Sequence, residues 1–98
     1  MIRAFALAAL LGVAAPLYAA DAVKGSQIYR MHCATCHGAN GVSPMPSAPS
    51  FARGDKLMQP DGMLLASIRS GRAAMPGYFG ILSDREILDV VAYLRTFR

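Results

Sequence analysis

Residues 32–38 read HCATCHG and hold both cysteines and both histidines of the 98-residue chain. Cys33 and Cys36 are three positions apart and His37 lies four beyond Cys33, so on one helical turn all three side chains project from one side. Four chemistries use a pair of this kind. A structural zinc site needs four ligands, and after Cys33, Cys36 and His37 only the adjacent His32 is left. A thioredoxin-like dithiol belongs beside a strand-helix unit, which this chain does not display. A disulfide between residues three apart closes too small a loop to constrain the unfolded chain much. The remaining reading is covalent haem attachment at CxxCH, in which two thiols add to vinyl groups and the histidine takes the iron.

The N-terminus points to export, which favours the haem reading. MIRAFALAALLGVAAPLYAADA has a basic Arg3, an apolar run from Ala4 to Leu17 and then small residues, the layout of a secretory signal peptide. Cleavage after Ala20 competes with cleavage after Ala22, and the former is preferred. The expected organisation is a signal peptide at 1–20 and one domain at 21–98. An uncleaved anchor is the alternative, but an apolar stretch interrupted by Pro16 falls short of the ~20 residues a spanning helix needs. A domain this small commonly leans on a staple such as a metal or cofactor. Six prolines and nine glycines leave much of it as loop, so something other than side chains is expected at its centre.

The pattern predicts an all-α chain of three main helices with long loops. Asp21 can cap a helix running to about Cys33, with Val23, Ile28 and Met31 as a partial helical period and Gly25 and Tyr29 on one face. From Gly38 to Pro60 turn formers recur without a period, a long loop. A second helix starts near Pro60-Asp61 and ends at Gly71, with Leu64, Leu65 and Ile68 as its buried stripe. RAAMPGYFGIL cannot be helical across Pro76-Gly77. In the last helix Ser83 and Glu86 form a capping box, and Ile87, Val90, Val91, Leu94 and Phe97 recur to the C-terminus. The acids Asp84, Glu86 and Asp89 near its start are accounted for by the helix dipole.

CATCHG, the proline-rich loop, MPGY and a terminal helix ending VVAYLRTF together make the chain resemble a small class I cytochrome c over everything after the signal peptide. The resemblance implies a cytochrome c fold around one covalent haem c, bound through Cys33 and Cys36, with His37 as one axial ligand. For the second ligand, a methionine sulfur would raise the potential. Met1 leaves with the signal, Met31 is on the attachment helix, and Met63 is explained by packing within the second helix. Met75 lies between the last two helices, Pro76 keeps it extended, and it matches the family's MP position. It is therefore assigned, ahead of Met58 and then Met45. By the same resemblance the carbonyl of Pro49 accepts from His37, Phe51 lies against the ring, and Gly25 and Tyr29 meet Tyr93 and Leu94; Arg72 either pairs with a haem propionate or is a solvated surface arginine. Gly38 lets the backbone leave close to the haem or is an ordinary helix cap, and His32 is exposed.

With both axial positions taken, such a site carries electrons. No serine-histidine-acid set or phosphate-binding glycine loop suggests an enzyme. Removing Arg3 from ten basic residues leaves nine against six acids, a modest positive charge suited to transient encounter with an acidic redox protein. The basic residues are scattered, which speaks against nucleic acid, and no stable membrane insertion is expected after signal cleavage. Within the family, FARGDKL, SGRAAMPGY and LSDREILDVVAYLR are most similar to the cytochromes c-55X that accompany nitrite reductases of denitrifying bacteria. That implies a periplasmic protein passing electrons to nitrite reductase or aiding maturation of its special haem. The alternatives are a haem-binding assembly or ligand-binding factor, or the cytochrome subunit of a larger dehydrogenase.

Overall fold

A computed structural model describes residues 19–97. Most of the expected signal peptide therefore lies outside the described residues. Four helices follow in order: α1 (Ala22–His32), α2 (Ala34–His37), α3 (Asp61–Ser70) and α4 (Asp84–Leu94). Among the described residues the only strand-like feature is an isolated bridge between Arg72 and Met75. No helix among them is long and apolar enough to cross a membrane.

The capping residues start the helices where the sequence places them. The Asp21 carboxylate accepts from the N–H groups of Val23 and Lys24 at the head of α1, satisfying donors that a helix start leaves orphaned. At the head of α4, Ser83 and Glu86 exchange both bonds of the capping box. The long 38–60 segment contains one 3-10 turn, Phe51–Arg53. Arg95, just past α4, ties that segment down by donating to the carbonyls of Leu57 and Gln59 and to the Asp61 carboxylate.

The core is the contact of α1 with α4, with α3 packed on α4. Tyr29, Ile87, Val90 and Val91 are fully buried, and each such side chain contributes about 1.5–3 kcal/mol of transfer free energy. The two helices approach closely because Gly25 has no side chain: a Cβ there would overlap the carbonyl of Asp89. Tyr29 then meets Tyr93 edge-on at 5.3 Å and Phe97 at 5.4 Å.

Several sequence expectations need correction. Tyr29 meets Tyr93 as expected, while the backbone nearest Gly25 is that of Asp89 and Val90, about one turn earlier on α4. Val23 and Met31 are exposed, so the buried face of α1 is Gly25, Ser26, Ile28 and Tyr29. Met63 points to solvent on α3, and packing does not explain it. Helix α4 stops at Leu94, with Phe97 in the turn beyond, its N–H bonded to the Leu94 carbonyl. Asp89 is not a surface acid serving the dipole: it is 3% exposed and accepts from the backbone N–H of Asp21 at 2.8 Å.

Candidate haem site

The end of α1 and the four-residue α2 present the CxxCH side chains. Cys33 closes α1 and precedes α2; it is half-buried, Cys36 is exposed, and the two are not joined by a disulfide. His37 is buried, with Nδ1 3.1 Å from the carbonyl oxygen of Pro49. That contact fixes the tautomer with the proton on Nδ1 and leaves Nε2 as the free donor to a metal. Phe51 stacks on the imidazole at 4.6 Å and 27°, holding the ring from one face.

Local chain geometry puts Pro49 where His37 can reach it. Gly38 adopts a positive φ of 87°, caps α2 by donating to Ala34, and runs so close to Val42 that any Cβ would collide with its backbone. It therefore serves as the helix cap, and the close approach it permits is to the backbone of Val42. The chain then folds back: Ser43 Oγ donates to the Cys36 carbonyl, the Ser43 N–H donates to Ser50 Oγ, and Ala52 N–H donates to the Gly41 carbonyl. Asp55 accepts from the Ser50 N–H, and its bond to Arg53 holds its carboxyl below the usual carboxylate range. Tyr29 closes the arrangement from α1 by donating to the Gly38 carbonyl at 2.6 Å.

Met75 sits in a strap between α3 and α4. Arg72 and Met75 exchange backbone bonds of 2.8 and 3.1 Å across a tight turn in which Ala73 takes the left-handed conformation, φ 51°. Gly71 and Gly77 meet with no room for side chains, and the N–H groups of Tyr78 and Phe79 donate to Ile68 and Arg69 at the end of α3. Met75 is half-buried and packs against the core. The rival methionines differ in setting: Met58 is 97% exposed and Met45 38% exposed. Arg72 is exposed, its backbone engaged with Met75 and its side chain at the surface. His32 is also exposed, its ring edge-on to Tyr78 at 5.6 Å.

The donor set fits haem c better than the other CxxC chemistries. Burial first, and then the neighbouring Cys36, push the Cys33 thiol up to about 11, so Cys33 itself is not a low-pKa nucleophile. Among the described residues no cluster of three or more His, Cys, Asp or Glu side chains is arranged to hold a bare metal ion. What remains is a buried imidazole oriented by a carbonyl, two thiols on the same turn, and a thioether on a separate, tightly held strap.

The sequence missed Tyr78, whose hydroxyl donates to the His32 carbonyl at 2.9 Å; its presence in MPGY was noted, but nothing local reveals a bond across 46 positions. It also missed Ser43 and Ser50, whose short side chains in a turn-rich loop were the available signal.

Helices packed closely at a glycine beside a CxxCH attachment turn define a class I c-type cytochrome, and the chain belongs to that class. Residues 20–94 match the family described as cytochrome c oxidase, cbb3-type, subunit III, to which the chain therefore belongs. It is 31% identical over 99 residues to cytochrome c6 of Picosynechococcus sp., covering 90% of this chain and 83% of the relative. To cytochrome c6 of Nostoc sp. it is 33% identical over 97 residues, 87% of this chain and 85% of the relative. The solved cytochrome c6 of the diatom Phaeodactylum tricornutum superposes with a TM-score of 0.64 at 30% identity, covering 76% of this chain and 90% of that one. The protein has the cytochrome c fold, carries one covalently attached haem c, and is a monohaem electron carrier similar to cytochromes c6.

Proposed function

We propose that residues 21–98 form a periplasmic one-electron carrier, released by removal of residues 1–20, in which Cys33 and Cys36 hold the haem and His37 and Met75 take the two axial positions. The observation that carries this reading is the orientation of His37: with Nδ1 committed to Pro49, only Nε2 is left for the iron. Haem c, when bound, supplies the one-electron couple. The chain's own contribution is to hold an imidazole and a thioether rigidly, so that the change of charge requires little ligand movement, and to favour the reduced state through the sulfur. Arg72, exposed beside the Met75 turn, is the side chain proposed for a haem propionate.

With no vacant axial position the protein is not an enzyme by itself, and its partners are redox proteins met transiently through small interfaces. The finer proposal, resting on FARGDKL, SGRAAMPGY and LSDREILDVVAYLR, is delivery of electrons to a nitrite reductase. Mixing the reduced protein with such an enzyme and nitrite tests it: rapid reoxidation supports delivery, and reoxidation no faster than with the enzyme omitted overturns it. Axial ligation is tested by the visible and near-infrared spectra of holoprotein. A low-spin spectrum with a ferric thioether charge-transfer band supports Met75, and a high-spin ferric spectrum contradicts it.

A further inference from the structure

The two segments that carry the proposed axial ligands are far apart in sequence, yet one side chain joins them. Tyr78 is 8% exposed, three residues beyond Met75, and its hydroxyl donates to the carbonyl of His32, the residue before Cys33. That carbonyl is the last of α1, one of the acceptors a helix end leaves without an intrahelical partner. Among the described residues this is the single hydrogen bond between the 71–82 strap and the 22–38 attachment segment.

The strap's other bonds do not perform this task. The Arg72–Met75 pair is internal, and the N–H bonds of Tyr78 and Phe79 lead back to α3. They set the shape of the strap without fixing it to the attachment turn. Breaking the Tyr78–His32 bond therefore leaves a well-formed strap that swings more easily, together with a helix-end carbonyl lacking its donor.

We infer that the Tyr78 hydroxyl is the latch that keeps the Met75 strap closed over the attachment turn, and so regulates whether an external small ligand can enter the iron's sixth position. Tyr78 is a positioning residue: it acts through the strap. The inference rests on the proposed Met75 ligation. It makes the choice between a closed carrier and a ligand-binding cytochrome depend on one phenolic hydroxyl.

The test is imidazole titration of ferric holoprotein, read in the visible spectrum, for wild type, Tyr78→Phe and Tyr93→Phe. Loss of one partly buried hydrogen bond favours the open strap by up to about tenfold, so Tyr78→Phe should bind imidazole up to about tenfold more tightly while Tyr93→Phe matches wild type. Equal affinity in Tyr78→Phe and wild type would overturn the latch, as would an equal gain in Tyr93→Phe. Hydrogen exchange on wild-type holoprotein supplies a measurement that does not depend on the variant taking up haem. Imidazole binding should speed exchange of the Cys33 to His37 amides along with those of the strap, and unchanged exchange at Cys33 to His37 would overturn the coupling. If wild type lacks the thioether charge-transfer band, the Met75 reading and the latch both fall; if the band is present and imidazole affinity is insensitive to Tyr78, the latch alone falls.

Discussion

His37 and Pro49 are joined by a 3.1 Å contact between an imidazole nitrogen and a backbone carbonyl, twelve residues apart in a segment with almost no regular structure. A carbonyl cannot be mutated away, so the loop must hold it by other means. Ser50, buried next to Pro49, accepts from the Ser43 N–H through its hydroxyl at 2.9 Å. Ser50→Ala leaves that N–H without its acceptor and should cost about 1–3 kcal/mol in urea unfolding of holoprotein. The His37 Nδ1 proton signal should broaden in the same variant; an unchanged midpoint and a sharp signal would show that the loop is held elsewhere.

Gly25 is the second point of tight geometry. Its hydrogen faces the backbone of Asp89 at a distance that leaves no room for a methyl group. Gly25→Ala should therefore push α1 off α4 and destabilise the holoprotein by about 1–3 kcal/mol, the usual cost of overpacking. Helix propensity alone would favour alanine by roughly 1 kcal/mol, so the sign of the measured change distinguishes the two effects.

The alkaline limb of stability should report Tyr29. Burial, followed by the nearby Cys33 and Tyr93, pushes its phenol up to about 12 from an ordinary 10.0. The folded chain thus keeps a proton that the unfolded chain gives up. This contribution is complete below pH 10.0 and is lost as pH rises towards about 12. Thioether formation removes the Cys33 charge but leaves burial, so the direction holds in holoprotein. Urea midpoints measured across that window should fall in wild type and flatten in Tyr29→Phe.

Met75→Ala should convert the ferric spectrum from low to high spin and lower the reduction potential, because the thioether stabilises the reduced iron. Substituting Met58, which is 97% exposed, should leave both unchanged. The reverse pattern would move the ligand to the 57–60 loop.

The sequence carried the helices well because caps and apolar periods are local signals: Asp21, Ser83 and Glu86 mark starts, and Leu64 and Ile68 mark a face. What it did not carry was register between elements. Periodicity put Gly25 and Tyr29 on one face of α1, and Tyr29 does meet Tyr93, but the partner of Gly25 is one turn away from the expected pair. Asp89 was misread for a related reason. An acid early in a helix looks the same in sequence whether the dipole or a buried N–H explains it, and only the position of Asp21 across the α1–α4 contact decides. Val23 and Met31 show the opposite error, apolar side chains at nearly helical spacing that the fold leaves in solvent. At the site, the CxxCH turn was legible because its residues lie close together, while the Tyr78–His32 bond depends on the complete fold.

The most direct measurement is acid-acetone extraction of the purified protein, followed by intact mass and the pyridine haemochrome spectrum of the polypeptide. Haem joined through Cys33 and Cys36 should stay with the protein, add the mass of one haem per chain and give the spectrum of a porphyrin whose two vinyl groups are both saturated. Pigment that passes into the acetone, or a colourless polypeptide of unmodified mass, would contradict the account.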